Sequence, residues 1–270
     1  MGDRSCTITP MLIEERRRHI LKQVQARGVV SLRELTEQLA TSEVTVRRDL
    51  QALAAEGLLR RTHGGAILAD GLTHEQLEPA VADQAAASKA AIAELAVGLV
   101  QPGDSILLGP GRTTLALARL LERLPELTVV TNSLPVAQAL MQSPQIDVVV
   151  IGGNLRRSIQ ALVGPVTEQT AQGLRATMVF LSGDGVTVER GLTTPNLFAA
   201  ATDQALAAAA QRVVVLADST KIGKETMCQT VPCADIDVLI TDSLADPGQL
   251  RRLGEAGVDV RVASLSSDRE

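Results

Sequence analysis

Residues 35–66 read LTEQLATSEVTVRRDLQALAAEGLLRRTHGGA, and this stretch decides how the chain is organised. Its pattern predicts a short helix over residues 32–39, a polar turn at Thr41-Ser42, and a second helix over residues 43–56. Gly57 is expected to stop that helix, and a basic hairpin over residues 58–65 to follow. Ser42 suits the cap, where its hydroxyl accepts a bond from a backbone N–H that the helix leaves unpaired. Val46, Leu50 and Leu53 recur at i, i+4 and i+7, so they form one apolar stripe facing a core. At about 100° per residue, Arg48 points away from that stripe, with Val44 and Gln51 beside it and Thr45 and Arg47 at its flanks. Arginine can bond two acceptors of guanine, glutamine can pair with adenine, and Val or the Thr methyl can touch thymine. The layout is that of a winged helix-turn-helix whose second helix enters the DNA major groove. Arg60, Arg61 and His63 fall on the wing, where phosphates would lie. With Ser42 at the turn, these residues make up the expected DNA-contacting set. The plainer alternative is a solvated helix face in which Asp49 pairs an arginine.

The segment SEVTVRRDLQALAAEGLLRRTHGGA closely resembles the DNA-binding signature of the DeoR family of bacterial transcriptional regulators. The resemblance covers turn, recognition helix and wing. It implies a regulator, usually a repressor, whose C-terminal domain senses a sugar phosphate or related metabolite.

Composition supports two domains. The 270 residues are 45% hydrophobic, enough for sizeable cores. Phe180 and Phe198 are the only aromatics, so the cores must be aliphatic and single-strand binding by base stacking is disfavoured. The net charge of −5 argues against a nucleic-acid binder until its distribution is considered. Residues 1–70 carry 11 Lys+Arg and 9 Asp+Glu, a net of +2, whereas the rest carries 15 and 22, a net of −7. The local field at the recognition helix and wing matters more than the total. The N-terminal sequence turns charged at once and lacks the apolar core of a signal peptide, and no apolar run is long enough to span a membrane. Cys6, Cys228 and Cys233 have no paired spacing, and His19, His63 and His74 are not grouped with them. Reduced thiols, a cytoplasmic location and neither metal nor cofactor are therefore expected.

Along the chain, residues 11–27 predict an amphipathic helix. Ile13, Ile20, Leu21 and Val24 form its core side, and Arg16, Arg17 and Arg18 lie on its outer side. Gly28 ends the helix, and Val29-Val30-Ser31 is expected to pair with the wing. Residues 11–67 thus form the DNA-binding domain, residues 68–84 a linker, and residues 85–264 an α/β domain. A helix is predicted from Lys89 to Val100, followed by short apolar runs at 105–108, 128–131, 148–152, 178–182, 213–218, 238–242 and 260–264. Helices near 113–124, 134–142, 164–174, 196–210 and 247–256 separate them. Runs buried on both faces and joined by helices predict a mostly parallel sheet. Such sheets bind ligands in a crevice at the carboxyl ends of their strands.

Those ends carry small and polar residues. Gly109-Pro110-Gly111-Arg112-Thr113-Thr114 follows the first run and opens a helix, which offers free N–H groups to an anion. Asn132-Ser133, Gly152-Gly153-Asn154 with Arg156-Arg157, Ser182-Gly183-Asp184-Gly185 and Asp218-Ser219-Thr220-Lys221 follow later runs. Together they suit a phosphate plus a polyol. The order of these motifs also resembles the DeoR sensor domain, which shares its architecture with sugar-phosphate isomerases such as ribose-5-phosphate isomerase. By that resemblance Gly111, Thr113, Thr114, Asn132, Gly152, Gly153 and Lys221 would line the effector site, with Lys221 a phosphate partner. Two departures stand out. The family's first loop usually reads Asp-x-Gly-Thr-Thr-Thr, and here Gly109 and Arg112 replace the Asp and the first Thr. The loop thereby gains about two units of positive charge, which favours a more anionic or less hydroxylated effector. Relatives also often carry Glu near Ala199 and Lys near Asp203, and this chain has neither.

The expected function is a sequence-specific repressor of carbohydrate-metabolism genes, released by a phosphorylated sugar or related anionic metabolite. Its operator would hold repeated half-sites read by a homodimer or homotetramer. Two alternatives stand beside it. One is a DNA binder with a ligand-blind second domain. The other is a sugar-phosphate isomerase-like enzyme using Asp184 or Asp218 as base.

Overall fold

A computed structural model describes residues 13–27, 29–39, 41–55, 59–62, 64–68 and 79–265, and the chain divides between residues 82 and 83 into two compact units. Gly28, Gly57, most of the expected linker and Cys6 lie outside the described residues.

The first unit contains α1 (Ile13–Arg27), β1 (Val29–Ser31), α2 (Leu32–Gln38), α3 (Glu43–Ala55), β2 (Leu59–Thr62) and β3 (Gly65–Leu68). Ile20, Val24, Leu35, Val46, Leu50 and Leu53 close its core, so the stripe read along α3 faces inward as the spacing demands. Ile13 was expected on the core side but is 56% exposed, since the first turn of α1 projects beyond the apolar cluster. Ser31 starts α2 with a reciprocal cap: its hydroxyl accepts from the Glu34 amide, and the Glu34 carboxylate accepts from the Ser31 amide. β1 pairs antiparallel with β3, and β3 with β2, in the order β1-β3-β2. The pairing of residues 29–31 with the wing follows the sequence reading. It also fixes one glycine: a Cβ on Gly65 would lie 1.9 Å from the Val30 carbonyl oxygen.

The second unit is built from α4 (Pro79–Val97), β4 (Ser105–Leu108), α5 (Arg112–Leu121), β5 (Leu127–Thr131), α6 (Leu134–Leu140), β6 (Ile146–Val150), β7 (Asn154–Arg156), β8 (Ala161–Val163), α7 (Pro165–Gln172), β9 (Met178–Leu181), β10 (Gly185–Thr187), β11 (Gly191–Thr194), α8 (Leu197–Ala208), β12 (Val213–Leu216), β13 (Cys228–Val231), β14 (Val238–Asp242), α9 (Pro247–Glu255) and β15 (Asp259–Ala263). Helix α4 starts at Pro79 rather than Lys89, because proline is well tolerated in a first helical turn and the alanines that follow favour the helix. The seven apolar runs form one parallel sheet in the order β15-β14-β12-β9-β4-β5-β6. Alternate side chains feed two cores. Ile106, Leu108, Val129, Phe180 and Val214 pack with residues of α4, α5 and α6. Leu107, Val130, Val179, Leu181 and Val215 pack with residues of α7, α8 and α9.

Burial on both faces was expected of every run, and the two edge strands depart from it. Val149 and Val150 on β6 and Val262 on β15 are exposed, because an edge strand has covering elements on fewer sides. Sequence reading also missed a second layer of short strands. β10, β11 and β13 form a small antiparallel sheet, and β7 with β8 a hairpin. These strands are three or four residues long, too short for an alternating pattern to register.

Candidate functional site

On α3, Val44, Arg47, Arg48 and Gln51 are exposed together on the face opposite the core stripe. Ser42 caps the helix, its hydroxyl accepting from the Thr45 amide at 3.2 Å and lying 2.9 Å from the Thr45 hydroxyl. Arg47 reaches Glu43 one turn back at 3.3 Å, an exposed pair that leaves it easily redirected. Arg48 makes no ion pair among the described residues. Asp49 is buried and receives Arg16 Nε at 2.5 Å and Arg17 Nε at 3.2 Å. The carboxylate therefore pairs across to α1 and not with its neighbours. Arg16 and Arg17, placed on the outer side from sequence, are instead partly buried anchors of α1 on α3. Arg60 and Arg61 fall on β2; their side chains, and all of His63, lie outside the described residues.

In the second unit a parallel sheet puts every strand's carboxyl end on one edge. Chain order runs outward from β4 through β5 to β6, then returns to the other side of β4 with β9. The switch point between β4 and β9 is where such sheets open a crevice. Both loops there are donor-rich, and they touch: a Cβ on Gly111, whose φ is +157°, would meet Ser182 Cβ at 2.9 Å. Arg112 is exposed at the start of α5. Thr113 and Thr114 are buried behind it, and the Thr114 hydroxyl donates to the Gly111 carbonyl at 3.0 Å.

Next to β4, the end of β5 holds Asn132. Its side-chain amide donates to the Leu162 carbonyl at 2.9 Å, and its backbone carbonyl accepts from the Leu162 backbone amide at 2.8 Å. The β7–β8 hairpin is thereby folded onto β5, with Ala161 bridged to Ser133 on one side and Arg156 on the other. Two polar atoms are left buried without a partner in this corner, Asn132 Oδ1 and Arg156 Nε. Gly152 and Gly153 have a packing role. The Thr167 hydroxyl donates to the Gly152 carbonyl at 2.8 Å, and a Cβ on Gly153 would sit 2.1 Å from Thr167 Oγ1.

On the other side of the switch point, Asp218 lies two residues beyond the end of β12. It bonds the Thr220 amide and hydroxyl and pairs with Lys89 Nζ of α4 at 3.3 Å. Burial pushes its carboxyl up, but the Thr220 bond and the charges of Lys89 and Lys221 outweigh this and hold it below the usual carboxylate range. Lys221 is half-buried beside it. At about 4.8 Å per strand, β12 and β6 stand roughly 19 Å apart, so the predicted residues spread along the sheet edge. Along that edge Lys221 follows the strand on one side of β4 and β9, Asn132 follows the strand on the other, and Gly152 and Gly153 follow the strand beyond.

Sequence reading missed the part played by Asp203. It lies in the middle of α8, 4% exposed, with Oδ1 unpartnered. A Cβ on Gly109 would stand 3.8 Å from that oxygen. Two of the positions that depart from the family pattern are thus neighbours. Burial, then the charge of Asp184, pushes the Asp203 carboxyl up to about 8. That shift favours the protonated, uncharged form at neutral pH. Asp184 itself accepts from the Thr194 hydroxyl at 3.1 Å.

A DeoR-like helix-turn-helix domain matches residues 16–71, and the DeoR C terminal sensor domain matches residues 84–243. The chain belongs to the DeoR family. It is a helix-turn-helix DNA-binding protein of transcription regulation, of the repressor type for which its relatives are named. It is 34% identical over 249 residues to the putative aga operon transcriptional repressor of Escherichia coli O157:H7, covering 91% of this chain and 92% of that one. It is also 34% identical over 249 residues to the lactose phosphotransferase system repressor of Streptococcus mutans, covering 90% and 96%. The regulator GlpR of Haloferax volcanii is 34% identical over 250 residues, covering 93% and 98%. Among solved structures, ribose 5-phosphate isomerase A of Methanocaldococcus jannaschii is similar over 49% of this DeoR chain and 52% of its own, at 21% identity and a TM-score of 0.37.

Proposed function

We propose that this DeoR protein is a ligand-released repressor. Its α3 binds an operator of repeated half-sites as a homodimer or homotetramer in the cytoplasm, and a phosphorylated sugar or related anionic metabolite at the β4–β9 switch point releases it. One observation carries the ligand half of this reading. Near loops rich in glycine and cationic side chains the fold buries Asn132 Oδ1, Arg156 Nε and Asp203 Oδ1 without partners, three of the six such side-chain atoms among the described residues. Buried polar atoms left unpaired cost about 1–3 kcal/mol each, and a polar ligand recovers that cost. The edge supplies an anion with the start of α5, Arg112 and Lys221. Ligand binding releases DNA because it favours an arrangement of the chain that fits the operator poorly.

The isomerase-like alternative asks Asp184 or Asp218 to act as a base. Asp184 is held by Thr194, and Asp218 by Thr220 and Lys89, so both carboxylates already serve the fold. The relative from Streptococcus mutans is named as a repressor of a lactose system, which fits a carbohydrate operon. The test is capture of genomic fragments from the source organism on the pure protein, repeated with a panel of sugar phosphates. Specific capture and release by a panel member is the expected result. Capture that no anion reverses would favour a ligand-blind second domain, and turnover of a panel member would favour the enzyme.

A further inference from the structure

We propose that β6 is the seam between two copies of this chain. The strand pairs antiparallel with β6 of a second copy about a two-fold axis at Val148, and one sheet runs through both. The inference deepens the homo-oligomer reading above and rests on it. β6 ends the seven-stranded sheet and, among the described residues, pairs with a strand on one side only, β5. One bond fixes which way its backbone faces. The Ile151 amide donates to the Thr131 carbonyl at 2.9 Å, so residue 151 faces β5 and, by alternation along the strand, so do Val149 and Asp147. Ile146, Val148 and Val150 therefore turn their N–H and C=O groups to the open edge. The Ser143 carbonyl takes the Ile146 amide at 3.3 Å, which leaves the groups of Val148 and Val150 and the Ile146 carbonyl for another strand.

Such a row is a template for strand addition, and the side chains of β6 do little to discourage it. Asp147 is its one charged residue, and Val149 and Val150 are 46% and 45% exposed. The opposite edge of the same sheet is guarded, since β15 carries Asp259 and Arg261, paired at 2.9 Å on its surface. That contrast bears on the occupant. β6 on β15 would repeat head to tail into an open row of copies, whereas β6 on β6 closes after two. The strand also complements itself. In an antiparallel pair, residues that face the seam stand opposite residues that face it. With all five positions paired, Val148 meets Val148, Ile146 meets Val150 and Asp147 meets Val149, so no like charges stand opposite. The two-fold brings the start of one strand beside the end of the other. Met141, 70% exposed just before β6, and Leu155, 51% exposed just after it, then fall at the same ends of the seam and extend its apolar contact. A five-residue pair spans only about 17 Å. Flanks of this kind help it towards the roughly 800 Å² per partner of an ordinary stable interface.

The full-length protein tests this by sedimentation across a concentration series. Val148→Pro removes an outward N–H at the axis and no bond to β5, so the ladder within the chain is kept. Val150→Lys sets a charge into the seam. Each is expected to weaken self-association about a hundredfold or more and to halve the particle mass, with a thermal melt like that of wild type. Hydrogen exchange gives a second reading: the Val148 and Val150 amides should be protected in the wild-type oligomer and lose protection on dilution to single copies. An oligomer that both substitutions leave intact, or one whose Val148 and Val150 amides exchange freely, would overturn the seam while leaving the homo-oligomer standing. Assembly that lengthens without limit would show head-to-tail pairing and overturn it as well. Protection of these amides in a single copy would put a segment of the same chain on the edge, against the proposal. A wild-type chain that stays single at every concentration and on operator DNA would sink both the seam and the homo-oligomer reading. Should the variants not fold, the wild-type exchange decides.

Discussion

At the scale of single residues, Arg48 and Asp203 make opposite use of burial. Arg48 is exposed because the 3.6-residue repeat turns it away from Val46 and Leu50, and Asp49 leaves it free by taking its partners from α1. Arg48→Ala is expected to cost about 1–3 kcal/mol of operator affinity and to relax base choice at one position. Equilibrium binding to a captured fragment and its single-base variants measures both. Unchanged affinity would mean that α3 presents another face. Asp203 is inside, and its titration sets a pH dependence. Its folded pKa, about 8, lies above its unfolded value. The folded chain therefore keeps a proton that the unfolded chain loses, and stability falls as pH rises from about 4 to 8 before levelling off. Asp203→Asn, which cannot ionise, should flatten that fall. Thermal melts of the unliganded protein at pH 5 and pH 8 should show the variant gaining on wild type at pH 8. A parallel pair of curves would show that the proton is not held on this residue.

At the scale of elements, the wing depends on a close backbone approach. β1 crosses β3 so tightly that a Cβ on Gly65 would lie 1.9 Å from the Val30 oxygen. Gly65→Ala should therefore part β1 from β3, destabilise the first unit by about 2 kcal/mol or more, and weaken binding to all DNA alike. Denaturant titration and nonspecific DNA binding at two salt concentrations check this. A fully stable variant would show that β1 can shift to make room. Helix α3 was legible in the sequence because its amphipathic repeat, its Ser42 cap and its polar turn agree with one another. The β10–β11–β13 layer was not, since strands of this length are fixed by their partners and not by their own pattern.

At the scale of the whole molecule, an effector matters only through what it changes at the DNA. Asp218 links the β12 loop to Lys89, and Lys89 lies on α4, the first helix after the wing among the described residues. An anion that draws Lys221 away from Asp218 changes the charge balance on that carboxylate, a route by which ligand binding can reach α4. Lys221→Ala is expected to keep operator affinity within about twofold while shifting the releasing concentration of the effector tenfold or more. Operator binding across an effector titration reads both numbers. A variant that loses DNA binding outright would mark Lys221 as a structural lysine.

The sequence by itself determined the winged helix-turn-helix, the mostly parallel pairing of the apolar runs and the polar character of the strand ends. Each of these is written in local periodicity, and local periodicity survives without knowledge of partners. Only the tertiary structure decided that Asp49 belongs to Arg16 and Arg17, that Gly153 exists for Thr167, and that Gly109 and Asp203 face one another. The last two residues are 94 positions apart in the chain. Their meeting depends on how β4 and α8 pack about the sheet, and a carboxyl group's charge depends on what surrounds it, which no reading of neighbours along the chain supplies.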